Sequence, residues 1–128
     1  MASYPWQSNP EKVDRRAWVR ENLSGIEVGG SDLPATVRDI VRALAHLAQP
    51  DKIWLFGSRA RGTARENSDF DLYVEGIRDR MGFDRIKLDA AGGYLTLRAV
   101  DIVPEDEASE SMKAEIAREG VLLYERKG

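Results

Sequence analysis

The chain contains no cysteine and a single histidine, His46, in 128 residues. The first absence excludes disulfides, zinc–thiolate and iron–sulfur centres, and any thiol nucleophile. The second excludes multi-histidine metal sites and leaves His46 as the sole imidazole available to a Ser-His-Asp arrangement. A catalytic metal would therefore be held mainly by carboxylates, which suit hard ions such as Mg²⁺ or Mn²⁺. No apolar run approaches the roughly 18 residues of a membrane span. The opening stretch MASYPWQSNPEKVD lacks the apolar core of a signal peptide. A cytoplasmic protein without membrane contact is the expectation. Basic charge is not in excess either. Against 22 Asp and Glu there are 19 Lys and Arg, a formal net charge of −3 that argues against a broad, sequence-blind nucleic-acid binder.

What is present suffices for one domain. Hydrophobic residues make up 42% and charged residues 32%, and a chain of this length buries roughly two-thirds of its unfolded surface. Residues 1–30 read as an N-terminal arm with an accessory helix, and 31–128 as the main domain. Asn9 and Pro10 suit the cap and first position of a helix over 10–23. Its apolar stripe of Val13, Ala17, Trp18 and Leu23 is too thin to stand alone. With Tyr4 and Trp6, Trp18 forms either an exposed aromatic patch or part of a segment folded back over the domain.

A second helix is expected from Ser31 or Asp32, with Pro34 in its first turn. Val37, Ile40, Val41, Leu44, Leu47 and Ala48 give it one broad apolar face, and His46 falls away from that face toward solvent. Lys52–Phe56 reads as a buried strand ending at Gly57, and 59–65 as a short helix. Residues 69–75 read as a second strand. Over 77–91 Met81, Phe83, Ile86 and Leu88 suggest one side of a helix, stopped by Gly92-Gly93. A third strand is expected over 94–103, ended by Pro104. The helix over 107–119 turns Ala108, Met112 and Ile116 inward and closes with Gly120 at its C′ position, before an edge strand at 121–124. Glu105-Asp106-Glu107 reads as its solvated N-terminus. Helices alternating with strands give an α/β or α+β fold.

Three features carry chemistry. The Gly57-Ser58 turn, between a strand and a helix start, directs backbone N–H groups toward an anion, and Arg59, Arg61 and Arg65 follow it. On a strand, Asp69 and Asp71 share one face while Phe70 takes the other. Carboxylates roughly 7 Å apart along a strand repel unless cations lie between them, and a pair of divalent ions at roughly 3.5–4 Å suits that spacing. Each Asp also reads as a solvated group at a strand end. Asp101, enclosed in Val100-Asp101-Ile102-Val103, joins them if its strand lies beside 69–75. Asp84 and Asp89 are competitors, but both fall within the helical stretch.

The string Leu-Phe-Gly-Ser-Arg-Ala-Arg-Gly-Thr-Ala-Arg-Glu-Asn-Ser-Asp-Phe-Asp-Leu over 55–72 places ten residues between Gly57-Ser58 and Asp69-Phe70-Asp71. It resembles the Gly-Ser-x10-Asp-x-Asp signature of the DNA polymerase β-like nucleotidyltransferases, and looks like their minimal nucleotidyltransferase branch. The resemblance covers roughly 35–124. Residues 1–30 have no counterpart in it, and Gly92-Gly93 with the strand after it departs from the pattern. It implies a small mixed β-sheet with flanking helices, the palm-like fold of that superfamily. By similarity, Gly57 and Ser58, helped by Arg59 or Arg61, would hold the β- and γ-phosphates of a nucleoside triphosphate. Asp69, Asp71 and Asp101 would be the catalytic residues and bind two Mg²⁺ ions (or Mn²⁺), with Asp101 nearest the attacking hydroxyl. The minimal enzymes often accompany a helical HEPN-type toxin, whose tyrosine receives AMP from ATP. That is the function the resemblance implies. The alternatives are transfer to a small hydroxylated molecule, with an acceptor pocket formed by a homodimer, and a non-catalytic nucleotide-binding interaction module.

Overall fold

Strand alternation sorts the sheet's side chains into two populations, and this sorting decides where the charged groups stand. The computed structural model of the chain describes residues 3–6, 9 and 11–127. Its elements are α1 (Arg15–Asn22), α2 (Ala35–Leu47), β1 (Lys52–Phe56), α3 (Ser58–Arg61) and β2 (Phe70–Glu75). They continue with α4 (Arg80–Ala91), β3 (Val100–Pro104), a 3-10 turn at Glu105–Glu107, α5 (Glu110–Glu119) and β4 (Val121–Glu125). The four strands lie in the order β3-β2-β1-β4. β1 is antiparallel to both neighbours, whereas β2 and β3 run parallel, joined by the α4 crossover. The architecture is thus α/β with a mixed sheet.

Ile53 and Leu55 of β1, Phe70, Leu72 and Val74 of β2, Ile102 of β3 and Leu123 of β4 point to one face. There they meet Val37, Ile40, Val41 and Leu44 of α2 and Phe83 and Ile86 of α4, forming the main core. Trp54, Phe56, Tyr73 and Val103 point to the other face, where they pack against Met112 and buried Ile116 of α5 and against Ala108 just before it. One face is therefore fully roofed and the other only partly. Asp71, between Phe70 and Leu72, necessarily falls on the partly roofed face.

Several boundaries differ from the sequence reading. Pro10 lies outside the described residues, and Asn9 instead accepts the Glu11 N–H at 3.0 Å. The helix proper starts at Arg15, capped by the Asp14 carboxylate on the Arg16 and Ala17 N–H groups. Pro34 is the N-cap of α2 rather than a residue of its first turn. His46 is half-buried rather than solvent-facing. On α4 the inward residues are Phe83, Ile86 and Ala90, while Met81 and Leu88 are exposed at 64% and 71%. The third strand begins only at Val100: in the irregular stretch 94–99 only Leu95 and Thr96 are buried, and Tyr94 and Leu97 are exposed. The Thr96 hydroxyl lies 2.8 Å from that of Thr36 on α2. α5 begins after its own cap, Ser109. The acidic run before it is a separate turn from which Glu105 accepts the Gly76 N–H at 3.0 Å. Gly120 closes α5 in an extended conformation (φ −64°, ψ 146°) rather than a left-handed one.

The N-terminal segment folds back over the helices. Tyr4 is buried, with its ring 5.3 Å from that of Trp18 in an edge-on arrangement. Its hydroxyl donates to Asp89 at 2.5 Å, and Arg15 Nη1 donates to the same carboxylate at 2.6 Å. Burial, and then the bond to Asp89, hold the Tyr4 hydroxyl above its ordinary range. Asp89 is therefore a structural staple between α4 and the arm, and Arg16 adds a 3.1 Å bond to the Gly93 carbonyl.

Candidate active site

β1 ends by turning sharply at Gly57, whose φ of 73° and ψ of −157° belong to a region open essentially to glycine. A Cβ there would also run into the Asp71 carboxylate. Glycine thus serves twice, once for the turn and once for the close approach of β2. The α3 helix that follows has four residues, its first acceptor being the Gly57 carbonyl, which takes the Ala60 and Arg61 N–H groups at 3.1 Å. The N–H groups of its first residues lie ahead of any intrahelical acceptor.

The parallel register pairs Asp71 on β2 with Asp101 on β3, and the antiparallel register pairs Asp71 with Phe56, the residue before Gly57. Two carboxylates from strands joined by a crossover are thus brought side by side at the turn. Asp69 stands just before β2 and is exposed, as is Asp101, while Asp71 is half-buried. Burial, followed by like charge from Asp101, Asp69 and Glu115, pushes the Asp71 carboxyl up to about 6, with Arg61 pulling it down by less. Burial and like charge together disfavour the ionised carboxylate, and oxygen donors of this kind fit a hard divalent cation. Among the described residues no three His, Cys, Asp or Glu side chains converge closely enough to form a ready metal cage. The carboxylates are neighbours on an open shelf. A concavity of about 640 Å³ elsewhere, between the 24–29 loop and β4, contains none of them.

The two arginines after the turn diverge. Arg59 folds back toward the segment before β2, donating to the Ser68 carbonyl at 2.9 and 3.3 Å and to that of Glu66 at 3.0 Å. Its guanidinium carbon lies 4.2 Å from the centre of the Phe70 ring, so Arg59 braces the segment carrying Asp69 from both sides. Arg61 points instead to α5, where Nη1 pairs with Glu115 and Glu119. Of the expected residues, the fold sets Gly57, Asp71 and Asp101 together, with Ser58 and Asp69 at the rim, and directs Arg59 and Arg61 to other elements. Asp84 pairs with Arg80 at 3.1 Å on the surface, and Asp89 is taken by Tyr4 and Arg15. Sequence reasoning missed Glu115. On its own, an acidic helix face carries no signal that distinguishes a solvated carboxylate from one aimed at a site.

The family model described as polymerase beta, nucleotidyltransferase matches residues 38–128. Among solved structures, a chain assigned as a minimal nucleotidyltransferase is 33% identical, with a TM-score of 0.52. The match covers 72% of this chain and 98% of that one. A toxin–antitoxin structure with AMP-PNP gives a TM-score of 0.56 at 24% identity, covering 73% of this chain and 76% of the other. The toxin–antitoxin MntA-HpeT, in a mutant form, gives 0.53 at 23% identity, covering 69% and 72%. At these last identities the likeness is one of fold. A comparison with curated proteins finds no match.

Proposed function

The chain belongs to the polymerase beta nucleotidyltransferase family, and from that premise we propose that it transfers AMP from ATP to a tyrosine hydroxyl of a HEPN-type toxin. The observation that carries the reading is the pairing of Asp71 with Asp101 beside the Gly57–Ser58 turn, with the Asp71 carboxyl raised by burial first and by its acidic neighbours second. Likeness in fold to toxin–antitoxin structures, one holding AMP-PNP, supports the nucleotide and the class of partner.

In this reading, Gly57 leaves the backbone bare so that phosphate oxygens approach the N–H groups of the turn, and the Ser58 hydroxyl donates to them. Asp69, Asp71 and Asp101 would hold two divalent ions, Mg²⁺ in the first instance. When bound, such ions supply Lewis-acid polarisation of the phosphates and neutralise the leaving group. Asp101 orients the acceptor hydroxyl and takes up its proton as the oxygen attacks the α-phosphorus. The bond from that phosphorus to the bridging oxygen breaks, and pyrophosphate departs past the turn. Arg59 keeps Asp69 in place by bracing residues 66–68.

Incubating the protein and Mg²⁺ with ATP labelled on the α-phosphate, in an extract of the source cells, tests the reading. A labelled protein band is expected, absent with the Asp69→Asn/Asp71→Asn variant, and mass spectrometry then locates the modified tyrosine. Label transfer undiminished in that variant would refute the assignment.

A further inference from the structure

Arg61 is engaged away from the phosphate turn it follows. Its Nη1 lies 3.3 Å from Glu115 Oε2 and 3.4 Å from Glu119 Oε2, so one nitrogen bridges two carboxylates a helical turn apart. The three side chains are 32% to 40% exposed, which leaves the contacts open to exchange with an incoming anion. Ile116, next to Glu115, is buried against Phe56 and Tyr73. That contact anchors α5 on the same sheet face as Asp71, and the charges of Glu115 and Arg61 both reach Asp71. The bridge therefore stands at the edge of the carboxylate shelf, with its arginine only three residues past Ser58.

We propose that Glu115 and Glu119 form an anion latch, occupying Arg61 while the site is empty and yielding it to the phosphates of an incoming nucleoside triphosphate. The proposal deepens the nucleotidyltransferase reading and rests on it. A guanidinium offers the same planar donors to a carboxylate or a phosphate, so the two ligands compete for Arg61. The competition also selects the form of the nucleotide. A triphosphate that takes Arg61 leaves Glu115 and Glu119 uncompensated beside Asp69, Asp71 and Asp101, and cations accompanying the nucleotide offset this repulsion. The latch thus disfavours the bare polyanion and admits the cation complex.

The test is the dissociation constant of AMP-PNP with Mg²⁺ for four proteins: the parent, Glu115→Gln/Glu119→Gln, Arg61→Gln and the triple variant. Releasing two part-exposed ion pairs should tighten binding about 3- to 10-fold in the parent background. The same change in the Arg61→Gln background should give less than about twofold, because no latch remains to release. An equal gain in both backgrounds would overturn the latch and leave only a general charge effect, and no gain at all would also overturn it. A parent that does not bind AMP-PNP would overturn the nucleotide reading, and the latch with it. Binding by the parent without coupling overturns the latch alone. Melting curves confirm that each variant is folded.

Discussion

Because burial first and like charge second disfavour the ionised Asp71 carboxylate, the cation-free protein should become more stable when that charge is removed, although the substitution is expected to end activity. The perturbation is Asp71→Asn. The carboxyl rises from an ordinary 3.8 to about 6 on folding. At about 1.4 kcal/mol for each tenfold change in proton affinity, this sets a ceiling of about 3 kcal/mol on the cost of ionising it in the folded chain. Asp71 is half-buried rather than enclosed, so water screens much of that cost, and about 1 kcal/mol is the working figure. For a domain of this size that corresponds to roughly 3–5 °C in melting temperature.

The sign follows from proton linkage. Between about pH 4 and pH 6 the folded state binds the Asp71 proton more tightly than the unfolded state does. The stabilisation is thus complete below pH 4 and lost as pH rises through 6. In chelator, Asp71→Asn should therefore melt above the parent at pH 7.5, and the gap should close toward pH 4.5. Adding Mg²⁺ should reverse the order, since an ion at 100 times its dissociation constant stabilises the parent by about 2.7 kcal/mol. The assay is thermal unfolding at several pH values, with and without Mg²⁺. A variant less stable than the parent in chelator at pH 7.5, by a margin independent of pH, would refute the electrostatic argument.

Two further outcomes follow from local geometry. Gly57→Ala places a Cβ against Asp71 in a backbone region closed to alanine, so urea unfolding should show a loss of at least about 1–3 kcal/mol. AMP-PNP binding should weaken with it, and unchanged stability would mean that the turn is not under this constraint. Asp89→Ala leaves the buried Arg15 and the Tyr4 hydroxyl without their shared acceptor, and a loss of about 3–5 kcal/mol is expected by denaturant titration. A loss below about 1 kcal/mol would show that the arm is not stapled there.

How much of this was legible in the sequence varies by element, for physical reasons. β1 and β2 were readable because their apolar residues alternate or run continuously into glycine or aspartate, and strand periodicity then fixes which face Asp71 takes. The pairing with Asp101 followed once β3 was placed beside β2. By contrast, α4 carries apolar residues around much of its circumference. Periodicity alone did not choose Phe83 and Ile86 over Met81 and Leu88. Tertiary contacts decide it: Phe83 and Ile86 pack into the main core, and Asp89 on the same inward side accepts from Arg15 and Tyr4, which come from a segment far away in the chain. The first helix starts later than the sequence suggests because Asn9 and Asp14 are both able to cap a turn: Asn9 caps a separate turn just before it, and Asp14 caps the helix. Residues 94–99 looked like a strand, yet Leu95 and Thr96 find burial against helices without a ladder partner. In the candidate site, residue types were legible and their orientations were not. Arg59 and Arg61 are two positions apart, and one braces a loop while the other crosses to α5.

The parallel pairing of β2 and β3 also sets the order in which the molecule becomes competent. Asp71 meets its β1 partner across a short connection, whereas Asp101 lies thirty positions further along and arrives only after the α4 crossover has docked. Contacts that close a longer loop carry a larger entropic cost and tend to form later. A chain emerging during synthesis would thus hold an incomplete acidic set until nearly all of the sheet is built. Until β3 docks beside β2 the Asp71–Asp101 pair does not exist, so a chain lacking that one pairing also lacks the proposed acidic site, whatever else of the sheet has formed.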